Sequence, residues 1–478
     1  MTQILGSSCL NRSRDGTHRE NKPILDNGDE NNSSPTVDQT LFDSQDVCVR
    51  ITKTFLLNIA FLALGVCEAI RGPTLLDLQD LYKTNLETIS FLFLIECIGS
   101  LLASFLIGLF MTNYPHLNNL FVFGGLVSLG LVTALVPFAG DLPNLFILLF
   151  FVGFLIAAVH TGGNVLCLDI WSGFDSGPHI HSIHFCYSFG AFFAPILASP
   201  FLSKRIQTDE LPPSGHFDHL LRQFHPHLIT TTEITKLYPI IGIGTFLVSF
   251  GFLHYGIEDL KRRKSVLKTA TDLDSNSDEY EKPQEQKATP FLTQLLVALF
   301  SLFLFLYVGM EYCFGTYLTT FAYESRLNLT RIQGANLTAI FWGAFSFMRF
   351  LAIFAAFYIS PLVVLAFSFV ICFFGTFTLI FIAEQSYEAL ALGTGVLGFG
   401  MGTIFATGLS WLEKYININN GAGTILVVAG TLGPDMFPVL LGQFLEKSPM
   451  VLIYTQFGVI VACIILFIGS YCITKRLK

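Results

Sequence analysis

The stretch EDLKRRKSVLKTATDLDSNSDEYEKPQEQKATP, residues 258 to 290, is polar and charged and lies between two long apolar halves. It divides the chain. Outward from it on both sides the sequence consists of apolar runs of about twenty residues, the length with which a helix rising ~1.5 Å per residue crosses a ~30 Å hydrocarbon core. Composition agrees: of 478 residues, 52% are hydrophobic and 13% charged, against roughly 25% charged in an ordinary globular domain. The mean hydropathy of +0.60 points the same way. The net charge of −8 comes largely from the N-terminal tail and this stretch, and no basic patch faces a phosphate backbone. A lipid bilayer is therefore the expected surrounding, and nucleic acid is not an expected partner.

The runs are 54 to 78, 88 to 110, 119 to 138, 144 to 168, 181 to 202 and 237 to 257 before the linker. After it come 291 to 322, 333 to 358, 361 to 383, 388 to 412, 422 to 445 and 449 to 473. The expectation is an all-α membrane protein with twelve transmembrane helices in two six-helix halves, 54 to 257 and 291 to 473. A disordered tail (1 to 53), the linker (258 to 290) and a short C-terminus (474 to 478) complete it. Residues 1 to 50 lack the apolar core of a signal peptide, so the first apolar helix is expected to direct insertion. Twelve crossings put both termini on one side. Lysines and arginines concentrate in the tail, the linker, Lys414 and the closing KRLK, which makes that side cytoplasmic and the loop at 203 to 236 extracellular. Eight of the ten cysteines lie in or beside apolar runs and none forms paired CxxC motifs, so free thiols packed as small hydrophobes are expected, with no zinc site.

The halves repeat weakly. Glu68 and Gly72 in span one recur as Glu311 and Gly315 in span seven. Gly153 and Gly163 in span four match Gly398 and Gly408 in span ten, and Gly190 and Pro195 in span five match Gly433 and Pro438 in span eleven. Three coincidences in corresponding helices predict two bundles related by an axis along the membrane normal, with substrate and ion sites at their interface.

A charge at the centre of a spanning helix costs ~2.5 to 3.5 kcal/mol on insertion scales, so it faces a cavity or a partner. The candidates are Glu68, Arg71, Glu96, Glu311, Arg349 and Asp435, with His160 and His184. Glu68 and Arg71, three apart, either neutralise each other or serve a site. Glu311 has no basic residue within a helical turn, so a proton, a cation or Arg349 must satisfy it. The repeat places Glu68 and Glu311 opposite one another across a central cavity. His160 and Asn164 share one face of span four and form a polar patch suited to a hydroxylated ligand, or a histidine satisfied within the bundle. His184 reads as an interfacial anchor at the start of span five. Trp171 and Trp411 read as belt residues near helix ends, whereas Trp342 lies deep enough to stack on a ligand ring.

The motifs GPTLLDL (72 to 78), HTGGN (160 to 164), HFCYSFGAFFAP (184 to 195), YVGMEYCFGTY (307 to 317), FWGAFSFMR (341 to 349) and TGLSWLEKY (407 to 415) occur in this order. Together they resemble the sodium-dependent glucose transporter branch of the major facilitator superfamily, whose wider relatives include fucose-permease-type symporters. The resemblance implies the major facilitator fold and uptake of a hexose by alternating access driven by an ion gradient. Its family-like stretches contain Glu311, Trp342, Arg349 and Trp411. Two departures stand out: an acidic residue would be expected where His160 stands, and the loop from Gly108 to Asn119 lacks the Asp and Arg cluster of a cytoplasmic gate.

The reading is a secondary transporter at the plasma membrane for a small-molecule sugar, first of all glucose. No cofactor is expected, and sodium is the co-substrate. The substrate residues are His160, Asn164, Glu311, Trp342 and Arg349, and the ion-coupling acids are Glu311, Glu68 and Asp435. A proton-coupled or uniporting carrier of another polar solute, and a membrane receptor that binds without transport, are the rivals. No enzyme is implied, and no GxxxxGK[ST] loop supports ATP-driven transport. The topology is testable: sequons at Asn328 and Asn336 occupy the connection between spans seven and eight, and Asn336 falls within the helix. A glycosidase should shift wild-type mobility and leave the Asn328→Gln variant unmoved; equal shifts of both would reject Asn328 as the acceptor. The tail sequon at Asn32 should stay unmodified.

Overall fold

The computed structural model describes residues 37–172, 174, 176–203, 232–271, 291–416 and 420–477. The first part of the tail, most of the 203 to 236 loop and the second part of the linker, with the sequon at Asn32, lie outside the described residues. In chain order the helices are α1 (Val37–Ala69), α2 (Arg71–Leu81), α3 (Leu86–Ile89), α4 (Phe91–Asn113), α5 (Asn118–Leu135), α6 (Leu142–Ile170), α7 (Gly177–Ala198) and α8 (Ile234–Thr271). Then come α9 (Phe291–Glu324), α10 (Arg331–Tyr358), α11 (Pro361–Ile382), α12 (Tyr387–Met401), α13 (Ile404–Leu412), α14 (Asn420–Leu445) and α15 (Val451–Leu477). Among the described residues, eleven helical segments are long and apolar enough to cross a membrane. Helix α14 occupies the remaining expected span, and its apolar run is interrupted by Asp435, Gln443, Pro434 and Pro438.

Four helices begin on a side chain that caps them, the first of them α3 on Asn85. Asp141 accepts from the Asn144 amide at 2.8 Å, Ser386 caps α12, and Thr330 with Gln333 forms a reciprocal box at the start of α10. The expected ends move where apolar spans propagate beyond the bilayer length. Helix α1 starts at Val37, inside the stretch read as tail, and α8 runs to Thr271, through the basic cluster of the linker. Extension is cheap once a helix is nucleated. Three spans are divided: α1 and α2 meet at Ile70, between Glu68 and Arg71, α3 and α4 at Ser90, and α12 and α13 at Gly402 and Thr403.

The described residues from Arg50 onward form one compact body, and residues 37–49 are helical. Helix α4 packs on α14, α7 on α10, and α2 on α9. Exchanging each element for its repeat partner turns the first contact into the second and returns the third to itself, which is what a two-fold relation requires. The repeated glycines explain how. A Cβ on Gly190 would collide with the Leu62 carbonyl, and one on Gly433 with the Phe305 carbonyl. Likewise Gly153 lies against the Glu96 carbonyl and Gly398 against the Phe341 carbonyl. The backbones touch at equivalent places in both halves because no side chain intervenes.

The tryptophans near helix ends are not belt residues. Trp171 is 9% exposed and Trp411 2%. Trp171 stacks on His179 at 3.6 Å and donates to Thr54 Oγ1 at 2.8 Å; Trp411 packs among Phe300, Tyr415 and Phe467. Proximity to a helix end gave no information on which face each indole occupied. Of the nine described cysteines, seven are fully or partly buried.

Because backbone contact replaces side-chain packing at Gly190 and Gly433, alanine there should lower the apparent melting temperature of the purified protein by several degrees, a cost of about 1 to 3 kcal/mol for overpacking. Alanine at Gly244, where a Cβ meets nothing within 4 Å, should leave melting unchanged or raised. Equal behaviour of all three variants would contradict the packing.

Candidate functional site

Two buried ion pairs occupy the centre of the bundle. The first joins Arg71 at the start of α2 to Glu96 of α4, with Nη1 and Oε1 3.2 Å apart and side-chain exposures of 4% and 3%. Arg71 Nη2 also donates to the Tyr312 hydroxyl of α9 at 3.2 Å. Arg71 thus pairs with Glu96 and not with its helical neighbour. Glu68 accepts from the Tyr187 hydroxyl of α7 and feels Arg71 only through space. The chain passes Ile70 in helical geometry, and it is the tertiary partners Glu96 and Tyr187 that take the two side chains apart.

The second pair is looser. Arg349 Nη2 of α10 and Glu311 Oε1 of α9 are 3.9 Å apart, with exposures of 19% and 10%. Arg349 spends its other donors on carbonyls: Nε on Gly402 at 3.2 Å, where α12 breaks, and Nη1 on His184 of α7 at 3.3 Å. Its guanidinium lies over the Phe345 ring, 4.4 Å from the centroid. The Tyr307 hydroxyl adjoins both Glu311 and the Met401 carbonyl, and its one proton serves the carbonyl. Glu311 Oε2 is buried without a hydrogen-bond partner, an arrangement that costs about 1 to 3 kcal/mol or more unless a ligand fills it.

Around these pairs the structure gathers the other sequence candidates. The His160 ring lies 5.5 Å from His184 and 5.8 Å from Tyr187, and Asn164 Nδ2 donates to the His160 carbonyl at 2.8 Å. His184 is therefore a member of this cluster and not an interfacial anchor, since two turns of α7 carry it inward. Trp342, 6% exposed, lies against the backbone of Gly315 and edge-on to Phe345. Glu68 and Glu311 do not share a partner: Glu68 accepts from Tyr187 and Glu311 faces Arg349. Asp435 stands apart with the Cys97 thiol, which donates to it, and senses Glu96, Glu68 and Arg71 electrostatically. Among the described residues no group of three His, Cys, Asp or Glu is placed to hold a metal ion.

Sequence reasoning passed over a third centre. Arg331, 7% exposed, pairs with Asp77 of α2 at 3.1 Å, which is fully buried, and with Asp80 at 2.6 Å. Asp77 Oδ1 accepts from Ser203 N at 2.9 Å and Ser203 Oγ at 2.5 Å. Nearby, Tyr317 donates to the Pro438 carbonyl at 2.7 Å and meets the Ser90 hydroxyl at 2.7 Å. These contacts tie the first six spans to the last six at the end of the bundle opposite the linker. Asp77 was legible as a charge at the edge of an apolar run; its partner, 254 positions away, was not. At the linker end the polar ties run within the first six spans. Asn118 donates to Asp169 and Asn119 to Asp259, each at 2.7 Å, so neutral amides stand where the resemblance led one to look for a charged gate. Asn328 is exposed at a turn with φ +48°, and Asn336 is exposed on α10.

No family model matches the sequence. The chain is 30% identical over 431 residues to sodium-dependent glucose transporter 1 of Homo sapiens, covering 86% of this chain and 77% of that protein. It is 24% identical to major facilitator superfamily domain-containing protein 4A of Homo sapiens, over 81% of this chain and 85% of the relative. Among solved structures, the Escherichia coli fucose:proton symporter superposes with a TM-score of 0.55 at 17% identity, over 89% of this chain and 99% of the symporter. At that identity the superposition establishes a shared fold.

Removing one partner of a buried ion pair costs about 3 to 5 kcal/mol. Arg331→Gln should therefore loosen the end of the bundle that Asp77 closes, and Cys97 in the protein purified in detergent should react several-fold faster with a polar maleimide. Adding Asp77→Asn to remove the stranded charge should slow labelling again. Unchanged labelling in the single variant would show that this contact does not hold the two halves closed.

Proposed function

Because the chain belongs to the sodium-dependent glucose transporter family of the major facilitator superfamily, we propose that it takes up a hexose, glucose first, by alternating access driven by the sodium gradient. The observation that carries the reading is the loose Glu311–Arg349 pair with its unfilled carboxylate oxygen. A sugar offers hydroxyls that donate to a carboxylate and accept from a guanidinium, and an apolar ring face that stacks on an indole such as Trp342. The His160 and Asn164 patch, joined to Arg349 through His184, extends the polar surface. Glu311 and Glu68 lie on equivalent helices of the two halves, so a cation that neutralises one of them acts at the interface that must open and close.

A carboxylate whose charge needs a cation links sugar and ion binding, since each ligand that favours the same state strengthens the other. A proton in place of sodium is the second reading, since either positive charge neutralises the buried Glu311 carboxylate. The protein acts in this account at the plasma membrane, with both termini cytoplasmic and Asn328 glycosylated outside.

Uptake of labelled glucose into proteoliposomes, with and without an inward sodium gradient, tests the function. Accumulation above equilibrium that collapses when sodium is replaced by choline supports it, and sugar binding without uptake would identify a receptor. Glu311→Gln, isosteric but uncharged, should lose accumulation far more than counterflow, and Glu68→Gln should lose less because Tyr187 and Arg71 remain beside it. Arg349→Lys keeps the charge and loses the planar fork; with a charged hydrogen bond worth about 1.5 to 3 kcal/mol, uptake at low sugar should fall about ten- to a hundredfold at normal expression. Normal accumulation by Glu311→Gln would make that acid structural.

A further inference from the structure

We propose that the lysines at 261, 264 and 268, on the outward face of α8, bind the headgroups of anionic phospholipids in the leaflet at the linker end of the bundle. Helix α8 runs unbroken from Ile234 to Thr271, and the part apolar enough to cross a membrane ends at Lys261. One side of it is sealed against the protein. Gly242 lies on the Gly130 carbonyl and Gly256 on Leu120, and Phe252 is buried. Asp259, on the same side, is 3.7 Å from Lys53 and accepts from Asn119.

On the opposite side Ile243, Leu247, Phe250, His254 and Ile257 are exposed. They follow one another at alternating steps of four and three residues, which keeps them in one stripe along an α-helix. In a spanning helix that stripe meets lipid. The same steps carry it on to positions 261, 264 and 268, and each of these is lysine. The face that meets hydrocarbon therefore becomes basic where the apolar span ends. At ~1.5 Å per residue, Lys261 and Lys264 fall within the ~5 to 7 Å of headgroups on one side of a bilayer, and Lys268 comes about 10 Å after Lys261, just beyond it.

The charge of this segment calls for a partner of opposite sign. Lys261, Arg262, Arg263, Lys264 and Lys268 stand between Asp259 and Asp272 with no acid among them. Exposed Glu258 borders the stripe and lies 3.4 Å from His254. Like charges three and four apart on a helix repel one another, so the lysine stripe is stabilised by phosphate at its own depth. Arg262 and Arg263 follow Asp259 by three and four residues and so occupy positions nearer the protein side. A basic segment placed directly at the end of a membrane span attracts anionic lipid; here the register selects which of its residues face the leaflet. The proposal rests on the chain being a membrane protein and not on the sugar or ion reading.

The test titrates the full chain, purified in a neutral detergent, with phosphatidylserine and with phosphatidylcholine that carry the same fluorophore on an acyl chain. Wild type should bind the anionic lipid about tenfold or more tightly than the neutral one, with a preference that shrinks as salt rises. Each basic residue near a charged membrane surface is worth about fivefold. Lys261→Gln, Lys264→Gln and Lys268→Gln together should therefore abolish the preference, whereas Arg262→Gln with Arg263→Gln should keep most of it. Arginine at the three lysine positions should keep it in full, which separates lost charge from lost folding. A wild type without preference would assign the lysines to the acids of the linker from Asp272 onward and overturn the proposal. Equal losses in the lysine and arginine variants would show attraction without a face, and competition by soluble phosphoserine at the lipid's own concentration would show a site for free phosphate; either result overturns it.

Discussion

The buried pairing of Arg71 with Glu96 is the contact on which the centre of the molecule depends. A guanidinium in the hydrocarbon layer is tolerable only where its charge is met, and both members here are almost wholly removed from solvent. Meeting that demand brings α2 against α4, and the Tyr312 hydroxyl adds α9 to the same point. With Arg71 paired to Glu96, Glu68 holds Tyr187 of α7. Three helices from the two halves, α2, α4 and α9, thus meet at one cation.

Glycine contacts and ion pairs divide the labour of holding such a bundle. Where Gly190 and Gly433 remove side chains, backbones touch within each half, and van der Waals contact substitutes for a hydrophobic drive that lipid does not supply. Between the halves the contacts are more polar. Asp77 with Arg331, Ser90 with Tyr317, and Arg349 with the His184 carbonyl all join the first six spans to the last six. Packing of glycine on backbone is hard to break and rebuild. Polar contacts can exchange partners with water or with the other end of a cycle, which suits an interface that opens.

Much of this fold was legible because membrane helices obey a few strict rules. Apolar length located the spans, and the glycine spacing disclosed the repeat, since only close backbone approach requires the same small residue at the same depth twice. Charges in apolar runs pointed to His160 and Arg349, which both meet His184 of α7, and to Glu311, which faces Arg349. Pairing was the weak point. Helical spacing allowed Arg71 to neutralise Glu68 or to serve a site, and tertiary packing gave it Glu96, a partner 25 positions away on another helix. Arg331 lay at a helix start, where a basic residue arouses no suspicion, and Trp171 and Trp411 were assigned by depth when the face of the helix decided their burial. Partners hundreds of residues apart are set by tertiary packing, which periodicity does not encode.

The central claim is that sugar and cation move together through one alternately opened centre. The most direct measurement is the current from proteoliposomes adsorbed on a supported membrane when glucose is raised abruptly, with equal sodium on both sides. The account predicts a transient inward positive current that grows with sodium, disappears in choline and needs no imposed ion gradient. If sodium fails to evoke it, the same current on lowering pH identifies the proton as the coupled ion. Glucose entry that stays electrically silent in both ions would contradict coupled movement.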